Sequence, residues 1–206
     1  MKDIKKLVAG LLVLSSMSAC MGETKEKLKK AKEGVSNSAT LVNQARKFED
    51  DVEKLKNAEP LTATQLKEWL PEKIDGLNRT GFKTGQAGMY NVKSIEGTFK
   101  DDGGKKKLRV NVVDGAGPTG SIMAASYSVA NNMEMEEEDE NKHKKNIEVD
   151  GIKARQTYWK KTNKTMLSFT YNGRFLVTVN ATGLDPEETW ELVDRLNLDD
   201  LADMAD

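Results

Sequence analysis

The sequence predicts an α+β domain in which helices cover an antiparallel sheet, preceded by a long N-terminal helical stalk. Three observations predict it. Short segments of period-two alternation are separated by the hairpin dipeptides Asp150-Gly151 and Asn172-Gly173. Asp185-Pro186-Glu187-Glu188 then places a capping carboxylate, a first-turn proline and two dipole-compensating acids ahead of a helical stripe of Trp190, Val193 and Leu196. Near the other end, the stretch from Glu23 to Ala58 has no proline, one glycine (Gly34) and many strong helix formers.

The stalk comes first. Leu28, Ala31, Val35, Val42 and Ala45 follow a narrow seven-residue stripe that slips to Phe48, Val52 and Leu55. At about 1.5 Å per residue such a helix reaches roughly 50 Å. Ser38 and Glu49 interrupt the stripe, so pairing with a second copy is expected to give at most a weak homodimer. The alternative is a tether that docks part of its stripe on the domain.

The domain begins near Pro60. A short helix opens at Leu61, has Thr62 and Thr64 as capping hydroxyls, carries Trp69 and Leu70, and stops at Pro71. The stretch from Gly76 to Gly88 reads as a turn-rich crossing. Met89 to Phe99 and Lys106 to Val113 read as strands joined by Asp101-Asp102-Gly103-Gly104, and Leu108, Val110 and Val112 alternate with Arg109 and Asn111.

Gly115-Ala116-Gly117-Pro118-Thr119-Gly120 has the spacing of a dinucleotide-binding fingerprint. That motif requires a parallel βαβ unit with a second buried strand ending in an acid. Here the following helix, Ser121 to Asn132, runs into Glu134, Glu136, Glu137, Glu138, Asp139 and Glu140. The glycines therefore read as a turn, and Ala124, Ala125 and Ala130 as a small-residue face that lies close to the sheet. The run from Met133 to Lys145, acidic and then basic, reads as a solvated loop or frayed helix end. It lacks the spacing of a calcium loop.

Ile147 to Val149 leading into Ile152 to Trp159, Thr165 to Tyr171 and Arg174 to Asn180 read as a meander of strands. After the closing helix, Leu198 to Asp206 reads as an acidic tail that frays.

Composition narrows the function. The single cysteine, Cys20, excludes an intramolecular disulfide and cysteine-rich zinc sites, and the single histidine, His143, lies in the charged run. Adjacent acids at Asp101/Asp102 and Asp199/Asp200 sit in turns or tails, where carboxylates are normally solvated. No catalytic residue, metal ligand or cofactor is assigned. Cys20 follows a basic segment (Lys2, Lys5, Lys6), an apolar run from Leu7 to Leu14 too short to span a bilayer, and small residues from Ser15 to Ala19. Met17-Ser18-Ala19-Cys20 resembles the lipobox of bacterial lipoproteins, which implies cleavage after residue 19, lipidation of Cys20 and attachment to a membrane of the bacterial envelope, the outer membrane in a Gram-negative cell. Two or more acyl chains, at about 0.8 kcal/mol per buried methylene, anchor stably where one does not. Cleavage would remove Lys2, Lys5, Lys6 and Asp3 and leave 29 basic against 32 acidic residues, near −3. That balance argues against nucleic acid as a partner.

The segment from Asn172 through Leu196 resembles uncharacterised bacterial cell-envelope proteins and, more loosely, the Mog1/PsbP-like sandwich, a likeness of fold that implies no activity. The expected organisation is a signal peptide (1–19), a lipidated N-terminus and stalk (20–59), an α+β domain (60–198) and an acidic tail (199–206). The expected function is non-catalytic binding or scaffolding with an envelope protein partner, through the stalk stripe or a sheet surface bearing Tyr158, Trp159 and Tyr171. The alternative is a carrier or sensor of an apolar ligand held under the helix from Gly115 to Asn132, with an enzyme of unknown class third.

Overall fold

The computed structural model describes residues 49–87 and 92–205; the leader, Cys20 and the stalk before residue 49 lie outside them. Residues 49–57 are helical. The elements that follow are α1 (Ala63–Trp69), β1 (Lys73–Ile74), β2 (Leu77–Ala87), β3 (Val92–Lys100), β4 (Lys107–Asp114), α2 (Gly117–Asn132), β5 (Glu136–Glu138), β6 (Lys142–Val149), β7 (Ile152–Trp159), β8 (Lys164–Tyr171), β9 (Phe175–Thr182), α3 (Pro186–Asp194) and α4 (Leu198–Asp203).

The chain is an α+β fold built on one nine-stranded sheet in the order β1-β2-β3-β4-β9-β8-β7-β6-β5, with every neighbouring pair antiparallel. Two meanders, β1 to β4 and β5 to β9, are joined through α2 and meet at the β4–β9 pair. There Leu108, Val110 and Val112 stand opposite Ala181, Val179 and Val177, all of them fully buried. Since side chains alternate across a strand, this apolar set lies on one face. It packs against Leu66, Trp69 and Leu70 of the α1 region, Leu192 and Val193 of α3, and Leu198 and Leu201 of α4. The opposite face carries α2 over a smaller cluster of Val92, Val113, Ala124 and Leu176.

Local chemistry sets the boundaries. Thr62 caps α1 in a reciprocal box with Gln65. Asp150-Gly151 closes a two-residue hairpin with positive φ at both residues, the conformation that such a turn requires; Asn172-Gly173 also has positive φ at both residues, but Arg174 adds a third residue to the connection between Tyr171 and Phe175. In the Gly115–Gly120 motif, a Cβ on Gly120 would stand 2.6 Å from the Gly115 carbonyl carbon, and one on Gly115 would collide with the Arg174 carbonyl. These glycines let the start of α2 touch the backbone of its neighbours. With no parallel strand pair among the described residues, the motif has no nucleotide-binding framework.

Three sequence expectations are corrected. The supposed crossing from Gly76 to Gly88 is mostly strand β2, paired along β3 with a register shift between Arg79 and Gly81. Its side chains are largely exposed, so backbone pairing holds it without the apolar alternation that marks a half-buried strand. The charged run is a hairpin: Glu136, Glu137 and Glu138 of β5 stand opposite Lys145, Lys144 and His143 of β6. Asp139 closes the turn by accepting from the Asn141 and Lys142 amides at 2.7 Å, and the blocks of opposite sign pair across the strands. Finally, Leu198 to Asp203 is not a frayed tail but α4, because Leu198, Leu201 and Ala202 recur at helical spacing and are buried against the main core.

A buried ion pair ties the ends of the domain together. Asp114, with no exposed surface, receives Arg174 Nε at 2.8 Å and Nη2 at 3.0 Å, together with the amides of Leu61 at 2.7 Å and Ala116 at 3.0 Å. The same guanidinium donates to the carbonyls of Glu59 and Ala205 at 2.8 and 2.9 Å. The entry to α1, the end of β4, the β8–β9 turn and the C-terminal residues thus share one charge-assisted node.

Candidate functional site

The helix α3 borders a concavity of the domain. Asp185 and Glu188 form a capping box, with the Glu188 amide donating to Asp185 at 2.9 Å and the Asp185 amide to Glu188 at 3.0 Å, and Pro186 occupies the first turn. Glu188 also meets Lys106 Nζ at 2.7 Å. The Lys106 hydrogen bond is the main reason that its carboxyl is held below the ordinary range, while Lys106 is raised by the same contact. Glu188 therefore faces the start of β4. Glu187, Glu191 and Asp194, at i, i+4 and i+7, form a separate exposed ridge along α3.

Between that ridge and the β6–β7 turn lies a half-open cleft of ≈ 650 Å³, within the range of ligand sites. Its apolar wall is formed by Val149, Ile152, Trp190, Val193 and Leu198, and its rim by Asp150, Glu187, Glu191, Asp194 and Asp199. Trp190 is held rigidly, stacked on Phe169 with ring centroids 5.7 Å apart and donating its indole N–H to Gln156 Oε1 at 3.0 Å. The α3–α4 corner turns at Asn197, which has φ +55°, and the Trp69 indole fixes it by donating to the Asn197 carbonyl at 3.0 Å. Tyr171 closes one end and donates its phenol to Asp199. Burial, then the Asp199 hydrogen bond and the negative charges of Asp199 and Asp203, push the Tyr171 hydroxyl up to about 12, so it remains a donor at neutral pH.

The three aromatic residues proposed from the sequence do not form one surface. Tyr158 and Trp159 lie at the β7–β8 turn, whereas Tyr171 ends β8 at the opposite end of the hairpin. Strand alternation also sends Tyr158 and Trp159 to opposite faces. Both are engaged locally: the Tyr158 hydroxyl donates to Asn163 Oδ1 at 3.0 Å, and Lys164 Nζ stands 5.5 Å from the Trp159 ring centroid. Tyr171 instead joins Trp190 of the α3 stripe, which also packs against the main core. The signal that could have found this site is the Glu187, Glu191 and Asp194 ridge flanking Trp190.

Cys20 lies outside the described residues. Among those described, no group of three or more His, Cys, Asp or Glu side chains is placed to hold a metal ion, and no helix is long and apolar enough to cross a membrane. A second cleft, of ≈ 500 Å³, lies between residues 51–58 and the Arg174 turn; the guanidinium on its wall is committed to Asp114.

No protein-family model and no curated protein matches the chain. Among solved structures it is similar to a GTP binding regulator from Thermotoga maritima, at 12% identity, over 66% of this chain and 84% of that one, with a TM-score of 0.31. So weak a likeness carries no argument about fold or function.

Proposed function

We propose that this chain is a lipid-anchored bacterial envelope protein whose α+β domain is a non-catalytic binding module for a protein partner. The observation that carries the binding reading is the cleft beside α3, where immobilised Trp190 and Tyr171 offer rigid aromatic area next to an apolar wall. The anchor rests on the leader that ends at Cys20. The carrier alternative would seat its ligand under α2, where Gly115 and Gly120 instead bring backbone against backbone at the start of that helix.

The test is membrane fractionation of the native protein beside Cys20→Ala, with mass spectrometry of what co-purifies in mild detergent. Release of the variant from membranes and a stoichiometric protein partner are expected. Unchanged membrane retention would remove the anchor from the proposal. A retained lipid or other small apolar molecule, with no protein, would replace the binding module by the carrier.

A further inference from the structure

Resting on the reading of the α3 cleft as a binding site, we infer that its occupant is a cationic amphipathic segment of a protein partner, with lysine or arginine spaced along an apolar strip. Acids near a helix start stabilise it, and Glu187 fits that role. Glu191 and Asp194 do not, for they lie in the second half of α3, where the negative end of the helix dipole disfavours them. Like charges four apart on one helix face, as at Glu187 and Glu191, add a further cost. Among the described residues none of these three acids has an ion-pair partner within 4.0 Å, whereas Glu188 on the same helix has Lys106 at 2.7 Å. Among the described residues Glu191 and Asp194 thus gain neither from the helix dipole nor from an ion pair within 4.0 Å, although Arg195 stands four residues after Glu191.

The position of the ridge supplies the complement. The acids run beside Ile152, Val193 and Trp190 rather than converging on a point, and no lysine or arginine lines the cleft. A metal ion needs convergent ligands. An extended segment with separated positive charges matches a row of carboxylates beside an apolar wall, and the Trp190 ring can receive a lysine stem or guanidinium plane.

The full-length protein in uncharged detergent is titrated with end-blocked peptides that alternate leucine with lysine, with glutamine or with glutamate, and separately with spermidine. Calorimetry gives the affinity, and amide and indole NMR shifts give the site. The lysine peptide should move the Trp190 indole and the Ile152 and Leu198 amides. Its affinity should fall at least tenfold in E187Q/E191Q/D194N, whose thermal unfolding stays at or above that of the parent, and should weaken with added salt. Equal binding of the glutamine peptide at the cleft would overturn the cationic occupant and leave the binding module standing. Spermidine binding as tightly as the peptide would replace the protein segment by a small polyamine. No shift at the cleft with any probe at millimolar concentration would overturn both readings of this site.

Discussion

On the side covered by α1, α3 and α4, the sheet presents Phe99, Phe169, Phe175 and a set of leucines and valines that are almost wholly buried. On the side covered by α2 the buried cluster is Val92, Val113, Ala124 and Leu176, and the helix is held close by Gly115 and Gly120. The first face is stabilised by the volume of apolar side chains removed from water, the second by close approach of backbone. Polar satisfaction follows the same division. The buried side-chain atoms that lack a partner among the described residues, Asn131 Nδ2, Thr157 Oγ1 and Thr170 Oγ1, belong to α2 or to strand positions that alternate onto its side. A single sheet can thus be sealed by two different physical means, and the two faces should fail differently when mutated.

The largest effect should come from the node that joins both sides. Asp114→Ala strands the Arg174 guanidinium with no carboxylate and should cost about 3–5 kcal/mol, a large part of a typical domain's stability of roughly 5–15 kcal/mol. Denaturant unfolding measures it, and a loss below about 1 kcal/mol, the worth of an exposed pair, would show that the pair is solvated.

Phe169→Ala on the main face should open a cavity and also remove the support of Trp190, at a cost of about 3–5 kcal/mol. Near-ultraviolet circular dichroism should lose the Trp190 contribution in the same variant. Gly120→Ala on the other face tests the opposite sensitivity, since a single added methyl should cost about 1–3 kcal/mol by overpacking. Unfolding curves that place Gly120→Ala at the parent midpoint would contradict the close-approach account of α2.

The smallest effect is the alkaline titration of Tyr171. Its folded hydroxyl, raised from 10.0 to about 12, contributes stability that is complete below the unfolded value and is lost as pH rises through that window, because the unfolded chain releases the proton first. Ultraviolet phenolate absorbance should show a late-ionising component that Tyr171→Phe removes. In Asp199→Asn, ionisation should move earlier, though burial, the larger cause, should keep it above the ordinary range.

Much of the framework was legible in the sequence because its signals are local. The Thr62 cap, the Asp150-Gly151 and Asn172-Gly173 turns and the Asp185-Pro186 helix start each act within a few residues, whereas Thr64, the other hydroxyl offered as a cap, lies inside α1. The elements misread lacked a local apolar period. β2 is exposed and glycine-containing, and the β5–β6 hairpin consists of charges whose pairing is visible only once the strands stand side by side. The cleft was half legible: Tyr171 was singled out, but Tyr158 and Trp159 lie at the other end of the β7–β8 hairpin. Of the α3 acids, Glu187 and Glu188 carry a helix-start signal in the sequence, and Glu191 and Asp194 carry none.

By itself the sequence determined the α+β class, most strand and helix positions, the closing amphipathic helix and the resemblance of the leader to a lipobox, since these depend on spacing along the chain. Only the tertiary structure decided that β9 returns to pair with β4, that Asp114 and Arg174 meet across 60 residues, and that Tyr171, Trp190 and the α3 acids border one cleft. Those outcomes depend on which faces are brought together in space, and a buried charge pair or a shared cleft has no period in the sequence to announce it.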